Sequence, residues 1–192
     1  MIAVFALVST RHVGFNKTGE HVLDGNKIAS EVAAEMVACL EYGAKKISHC
    51  ISQLDDEQVW WRPNPELNSI GNLLLHLAGN LRQWIVAGVG DAEDIRERQS
   101  EFDESGPIAK DELLERLTSV LKESKAVLSA VTSEDLLSRK RVQGFDVTKL
   151  HAAMNSVTHF QGHVQEIICL TRQQLGSDYE FEWKPTTAEE GA

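Results

Sequence analysis

Basic residues are in short supply: 19 Lys and Arg stand against 29 Asp and Glu, a formal net charge of −10. A face that grips phosphates needs clustered positive charge. Only Lys45–Lys46 and Arg139–Lys140–Arg141 are dense, so nucleic acid is excluded as the main partner. Cysteine is also scarce. Cys39, Cys50 and Cys169 form no CxxC pair and are odd in number, so no disulfide framework is expected. All three fall in apolar helical stretches and read as small core residues in a reducing compartment. No apolar run is long enough to cross a bilayer. Met1–Val8 is apolar but short and has no basic start, so no secretory targeting is expected and the location is taken as cytoplasmic.

Several catalytic signatures are missing. There is no GxGxxG, no GxxxxGK[ST] and no GxSxG. Gly71, Gly79, Gly88 and Gly90 are too dispersed to cradle a phosphate, and Asp55–Asp56 and Glu189–Glu190 lie in polar, solvated surroundings.

What the chain does have is helical periodicity. Its 192 residues, 42% hydrophobic and 25% charged, suit one domain with a full core. After a break at Asp24–Gly25–Asn26, Ile28, Val32, Met36, Leu40, Gly43, Ile47, Ile51 and Leu54 recur at steps of three and four, an amphipathic helix. His49 lies off that line and is expected at the surface. Pro63 and Pro65 prevent a helix through the following connection, where Trp60 and Trp61 are expected to cover one end of the bundle or, in the other reading, one wall of a pocket. Asn68–Ser69 caps a second helix running to Ala87, with Ile70, Leu73, Leu74, Leu77, Leu81, Trp84 and Ile85 on its apolar arc. Residues 88–109 form a charged link with room for a short helix. A third helix spans Asp111–Val131, with Leu113, Leu117, Val120, Ser124, Val127 and Val131 facing inward. Residues 139–146 look extended, with Gly144 as the turn. A fourth helix runs from Val147 to Leu175, its arc including Leu150, Ala153, Met154, Val157, Phe160, Val164, Ile167, Ile168, Thr171 and Leu175. The expectation is an all-α four-helix bundle over residues 26–176. A loose extension precedes it over residues 1–25. A tail over residues 177–192 is expected to pack back in part through Tyr179, Phe181 and Trp183.

The chemistry concentrates on histidine. His159 and His163 stand four residues apart, one turn along the same face of the fourth helix. His76 stands at the edge of the second helix's arc, with Asn80 one turn further on. Brought together, the three imidazoles would offer a divalent cation three nitrogens and leave positions open. Asn80, Asn155 and Glu166 are each one turn from a histidine and are candidates for orienting a ring or holding a water. His151 belongs to the same four-residue ladder, but each step turns the helix by about 40°, so it is expected to be exposed. Phe160 stands where zinc proteases carry a glutamate. Spacing alone leaves two readings open, a metal site and a pair of hydrogen-bonded histidines at the margin of a core.

The segment Asn68–Trp84 (NSIGNLLLHLAGNLRQW), preceded by Trp60–Pro65 (WWRPNP) and followed late in the chain by His159–Ile168 (HFQGHVQEII), resembles the DinB/YfiT-like superfamily. The resemblance covers roughly residues 28–175. It implies a four-helix bundle with a long crossover. It also implies a nickel or zinc ion held by one histidine of the second helix and an HxxxH pair of the last, here His76, His159 and His163. Gln165 departs from the glycine many relatives carry there, without removing a ligand. Relatives include S-transferases of low-molecular-weight thiols and a mycothiol-dependent isomerase. The expected function is therefore a divalent-metal enzyme on a small molecule, either a thiol-dependent S-transferase or a hydrolase; a homodimer, common among relatives, is compatible with the acidic charge, and the sequence does not fix the assembly. The alternative is a non-catalytic, stress-associated binding or dimerisation bundle with a vestigial site.

Overall fold

The computed structural model describes residues 24–183. The loose extension expected at the N-terminus lies, up to residue 23, outside the described residues, as does the end of the tail beyond residue 183.

Helix α1 (Gly25–Ser52) starts where the Asp24 carboxylate accepts the backbone N–H groups of Asn26 and Lys27, donors that a helix start otherwise leaves unpaired. Its buried stripe opens on Ala29 and Ala33 rather than on Ile28 and Val32, then continues through Met36, Leu40, Gly43, Ile47 and Ile51. A short α2 (Asp56–Trp60) follows inside the expected connection, closed by a reciprocal Asp55–Gln58 capping box. A second box, Ser69 with Asn72, starts α3 (Ile70–Leu81), which continues as a π-helical turn over Arg82–Ala87. The charged link contains α4 (Arg98–Asp103).

Helix α5 (Lys110–Ser129) buries Leu113, Leu117, Leu121, Ser124 and Leu128. The expected stripe is thus rotated by one residue in its second half. Val120, Val127 and Val131 are only partly buried, because α5 packs against both α1 and α3 and the longer leucines reach the centre. Helix α6 (Ser133–Leu137) leads into a hairpin of β1 (Arg139–Val142) and β2 (Phe145–Thr148), antiparallel with Arg139 opposite Thr148 and Val142 opposite Phe145. Its two turn residues, Gln143 and Gly144, both have positive φ, 51° and 87°. The hairpin is the one departure from all-α structure among the described residues.

Helix α7 (Lys149–Leu175) is capped by the Thr148 hydroxyl and ends at Gly176, whose φ is 54°. Its buried arc centres on Phe160 and includes Ala153, Ser156, Val164, Ile167 and Thr171. Met154, expected inside, is exposed; it lies about 120° from Phe160 at 100° per residue.

The four long helices form a ring in the order α1, α5, α3, α7, each packing on two neighbours around a single core. Helix α3 therefore faces α7, which brings His76 opposite the histidine pair. The Nε1 of half-buried Trp60 donates to the Ile108 carbonyl, and Trp61 is exposed. His49 is neither core nor free: its ring meets the backbone carbonyl of Glu180 at 2.6 Å. Cys50 is buried, but Cys39 and Cys169 are exposed. Each of those two stands next to a buried leucine, Leu40 or Leu170, on the outer side of its helix. No helix among the described residues is long and apolar enough to cross a membrane.

Candidate metal centre

His76, His159 and His163 meet on the inner edge of the α3–α7 contact. Each offers one ring nitrogen, and the three lie within 4.8 Å of one another. The Nε2 atoms of His76 and His159 are 2.8 Å apart. His76 is buried, while His159 and His163 are half-buried. Phe160 and Val164, fully buried between and beside the pair, fix the angular position of this turn of α7.

The far sides of two rings are held by carboxylates. His163 Nδ1 lies 2.7 Å from Glu166 Oε2, and His76 Nδ1 lies 3.0 Å from Glu101 Oε2. The Arg96 Nη2 is also near His76 Nδ1, at 3.1 Å, but it makes a shorter bond of 2.7 Å to Glu101. The carboxylate is the only acceptor there, so Nδ1–H of His76 donates to Glu101. Both rings then carry the proton on Nδ1 and turn the Nε2 lone pair inward. This is the usual support for a histidine ligand.

Glu101 is the centre of a buried network. Arg96 donates Nε to Oε1 at 2.7 Å and Nη1 to the Gln83 amide oxygen at 2.9 Å, and Gln83 in turn donates to Asp94 at 2.8 Å. Burial would raise the Glu101 carboxyl above its ordinary range. Hydrogen bonds from Arg96 and His76, with their charges, outweigh that and hold it below. The carboxylate passes over α3 at Gly79, where a Cβ would lie 1.9 Å from Oε1. Only glycine allows that approach.

The residues expected to support the ligands are sorted by the structure. Glu166 orients His163. Asn80 turns to Ser156, whose hydroxyl donates to its Oδ1 at 2.8 Å. Asn155 is exposed and, like Asn80, lines a cleft of about 290 Å³ that His76 and His159 close on one side. His151 is exposed. Glu101 and Arg96 were not singled out by sequence reasoning; their only signal was the mixed charge of residues 91–101.

The donor set suits a borderline divalent ion: three neutral imidazoles with orienting carboxylates behind two of them. His159 is pushed down to about 4 from 6.5, first by burial and then by the positive charges of His163, His76, Arg96 and Arg98. At neutral pH its ring is uncharged, and with the His76 Nε2 lone pair 2.8 Å away its Nε2–H donates to His76, a proton that an ion would displace. The same shift bears on metal-free stability. Below about 6.5 the unfolded chain takes up a proton that the folded chain refuses until about 4, so the unfolded state binds more protons and stability falls as pH falls through that window. Thermal melts of metal-free protein from pH 8 to pH 4 should show this slope, and His159→Asn should flatten it. An unchanged slope in the variant would assign the acid sensitivity to other groups.

Residues 27–186 match the family model described as a protein of unknown function, DUF1572. No curated protein matches. Among solved structures, a conserved protein from Enterococcus faecalis superposes with a TM-score of 0.62 at 16% identity, covering 81% of this chain and 99% of that one. A DinB-like protein from Bacillus cereus gives 0.57 at 18% identity, over 72% and 90%. A DinB-like protein from Bacillus subtilis gives 0.59 at 13% identity, over 79% and 99%. These likenesses establish the fold, a DinB-like helical bundle, in agreement with the superfamily the sequence resembles.

Proposed function

This chain belongs to the DUF1572 family of proteins of unknown function, and from that premise we propose that it is a divalent-metal enzyme acting on a small molecule. His76, His159 and His163 hold the ion, nickel or zinc. The cleft beside them takes the substrate, for thiol-dependent S-transfer or for hydrolysis. The observation that supports this most is the convergence of three ring nitrogens within 4.8 Å, with carboxylates behind two of the rings. A hydrogen-bonded histidine pair at a core margin needs no such backing.

When bound, such an ion supplies Lewis acidity and a lowered pKa for a coordinated water or thiol. The chain's own residues do the rest. Glu101 and Glu166 keep the Nδ1 protons of His76 and His163 in place, so that both rings present Nε2. His159 stays neutral through burial. The Arg96–Glu101 pair closes the wall behind His76 and excludes water from that side.

The test is a metal titration of untagged protein stripped with a chelator. One zinc or nickel ion per chain is expected. His163→Ala should weaken binding by more than the roughly 10–100-fold typical of losing an outer partner. A parent protein that takes up no stoichiometric ion would end the metalloenzyme reading and leave the non-catalytic bundle. Assays of loaded protein with thiols and electrophiles would then separate transfer from hydrolysis.

A further inference from the structure

The imidazoles close one side of the cleft. The remainder is rich in hydrogen-bond donors, and no carboxylate lines it among the described residues. Asn80 is 6% exposed. The Ser156 hydroxyl fixes its amide by donating to Oδ1, and its Nδ2 has no protein partner among the described residues. Trp84 lines the same cleft, and its indole N–H has no protein partner among the described residues either. Neither group is sealed from solvent, so each can take an acceptor in place of water.

Two further residues point the same way. Arg96 is committed to Glu101 and Gln83, but Arg98 has no carboxylate within ion-pairing distance among the described residues. Its guanidinium lies over the Phe102 ring, 4.7 Å from the centroid, and it lines the cleft. Gln143 sits at the hairpin tip with φ of 51°. A two-residue turn with both φ positive ordinarily takes Asn or Gly; a longer side chain gains nothing there for the turn. Gln143 is one of the residues lining the cleft. Strained backbone held against its own preference is a mark of function.

We propose that this cleft binds a small carboxylate, held by the Arg98 guanidinium and the Asn80 amide, with Gln143 closing the mouth. One uncompensated guanidinium among neutral donors matches a singly charged, planar carboxylate, whose two oxygens accept the guanidinium fork. The volume, about 290 Å³, is at the small end of ligand sites. The inference deepens the metal-site reading, because the carboxylate would sit beside the imidazoles. Its donors, however, are present in the metal-free protein too.

The experiment follows the side-chain N–H signals of Asn80, Gln143 and Trp84 by NMR while butanoate is added, in metal-free and in zinc-loaded protein. Saturable shifts are expected with butanoate and not with the neutral butanamide. Arg98→Gln should weaken butanoate about tenfold or more, as expected for a hydrogen bond to a charged group. Gln143→Gly should weaken it without lowering the melting temperature. Equal binding of butanamide, or none of the three signals moving, would overturn the proposal. Inorganic phosphate binding tenfold tighter than butanoate would overturn the carboxylate assignment. Butanoate affinity in zinc-loaded protein that ignores Arg98→Gln would place the carboxylate on the ion and overturn the subsite. If the parent protein takes no zinc, the metal reading fails, while butanoate shifts in metal-free protein still support this one.

Discussion

Glu101→Ala should destabilise the metal-free protein by about 3–5 kcal/mol, the range found when one partner of a buried charge pair is removed. Glu101 is 8% exposed, and the Arg96 side chain it neutralises is 3% exposed. Without the carboxylate, Arg96 keeps a full charge on a side chain that is almost wholly buried and loses its bonds from Nε and Nη2. His76 loses the acceptor that sets its proton on Nδ1 and leaves Nε2 free. The same substitution should therefore also weaken zinc by about 10–100-fold, the usual cost of losing an outer partner. Glu101→Gln keeps the shape and one acceptor and should lose less on both counts. Urea denaturation of the metal-free proteins gives the first quantity and a zinc titration the second. A loss of under about 1 kcal/mol, typical of an exposed pair, would mean that solvent reaches Arg96 and that the network does not stiffen the site.

A loss of similar size, about 3–5 kcal/mol, is expected for Phe160→Ala, with a different signature. Phe160 is fully buried and centres the inner arc of α7. Its ring lies against Gly43 of α1, where an added Cβ would come within 2.7 Å of Cε1. Truncation leaves a cavity between α1 and α7, the most extensively packed helix pair of the bundle. Yet His159 and His163 keep their spacing on the same helix, and their carboxylate partner Glu166 is local to it. Well below its melting point the variant should still bind one zinc per chain. Denaturation midpoints and zinc stoichiometry measured together distinguish this from a loss of the site itself. A variant that is as stable as the parent would contradict the packing role given to this ring.

The two residues also mark what could be read from the chain. Phe160 was legible, because a helix that buries one face repeats its apolar residues at the helical period, and that period places Phe160 at the centre of the arc. The same angular argument put His159 and His163 on one flank of α7 and moved His151 away. Glu166 was legible for a related reason: it is one turn from His163, so the contact is local. Glu101 was not. It reaches His76 across 25 positions, from a six-residue helix inside a link without periodicity. Only the folded path of the chain makes them neighbours. Asn80 was correctly placed one turn from His76, but its partner is Ser156 on another helix, which no pattern along α3 announces. The errors on Ile28, Met154 and the α5 valines share one cause. Periodicity locates a stripe to within about one residue, and the width of the neighbouring helix decides which edge is buried.

The π-helical turn at Arg82–Ala87 has a consequence for how this chain can change. A turn of that kind takes in one residue more than an α-helical turn, and here it ends the rod, since Gly88 follows it. His76 and Asn80 stand before it; Gln83 and Trp84, which serve the Arg96 network and the cleft wall, lie within the turn. Loss of a single codon there would close the segment into an ordinary α-helical turn. The residues before it, His76 and Asn80 among them, would keep their places, and the change would fall on Gln83 and Trp84, leaving the three histidines together while altering the wall beside them.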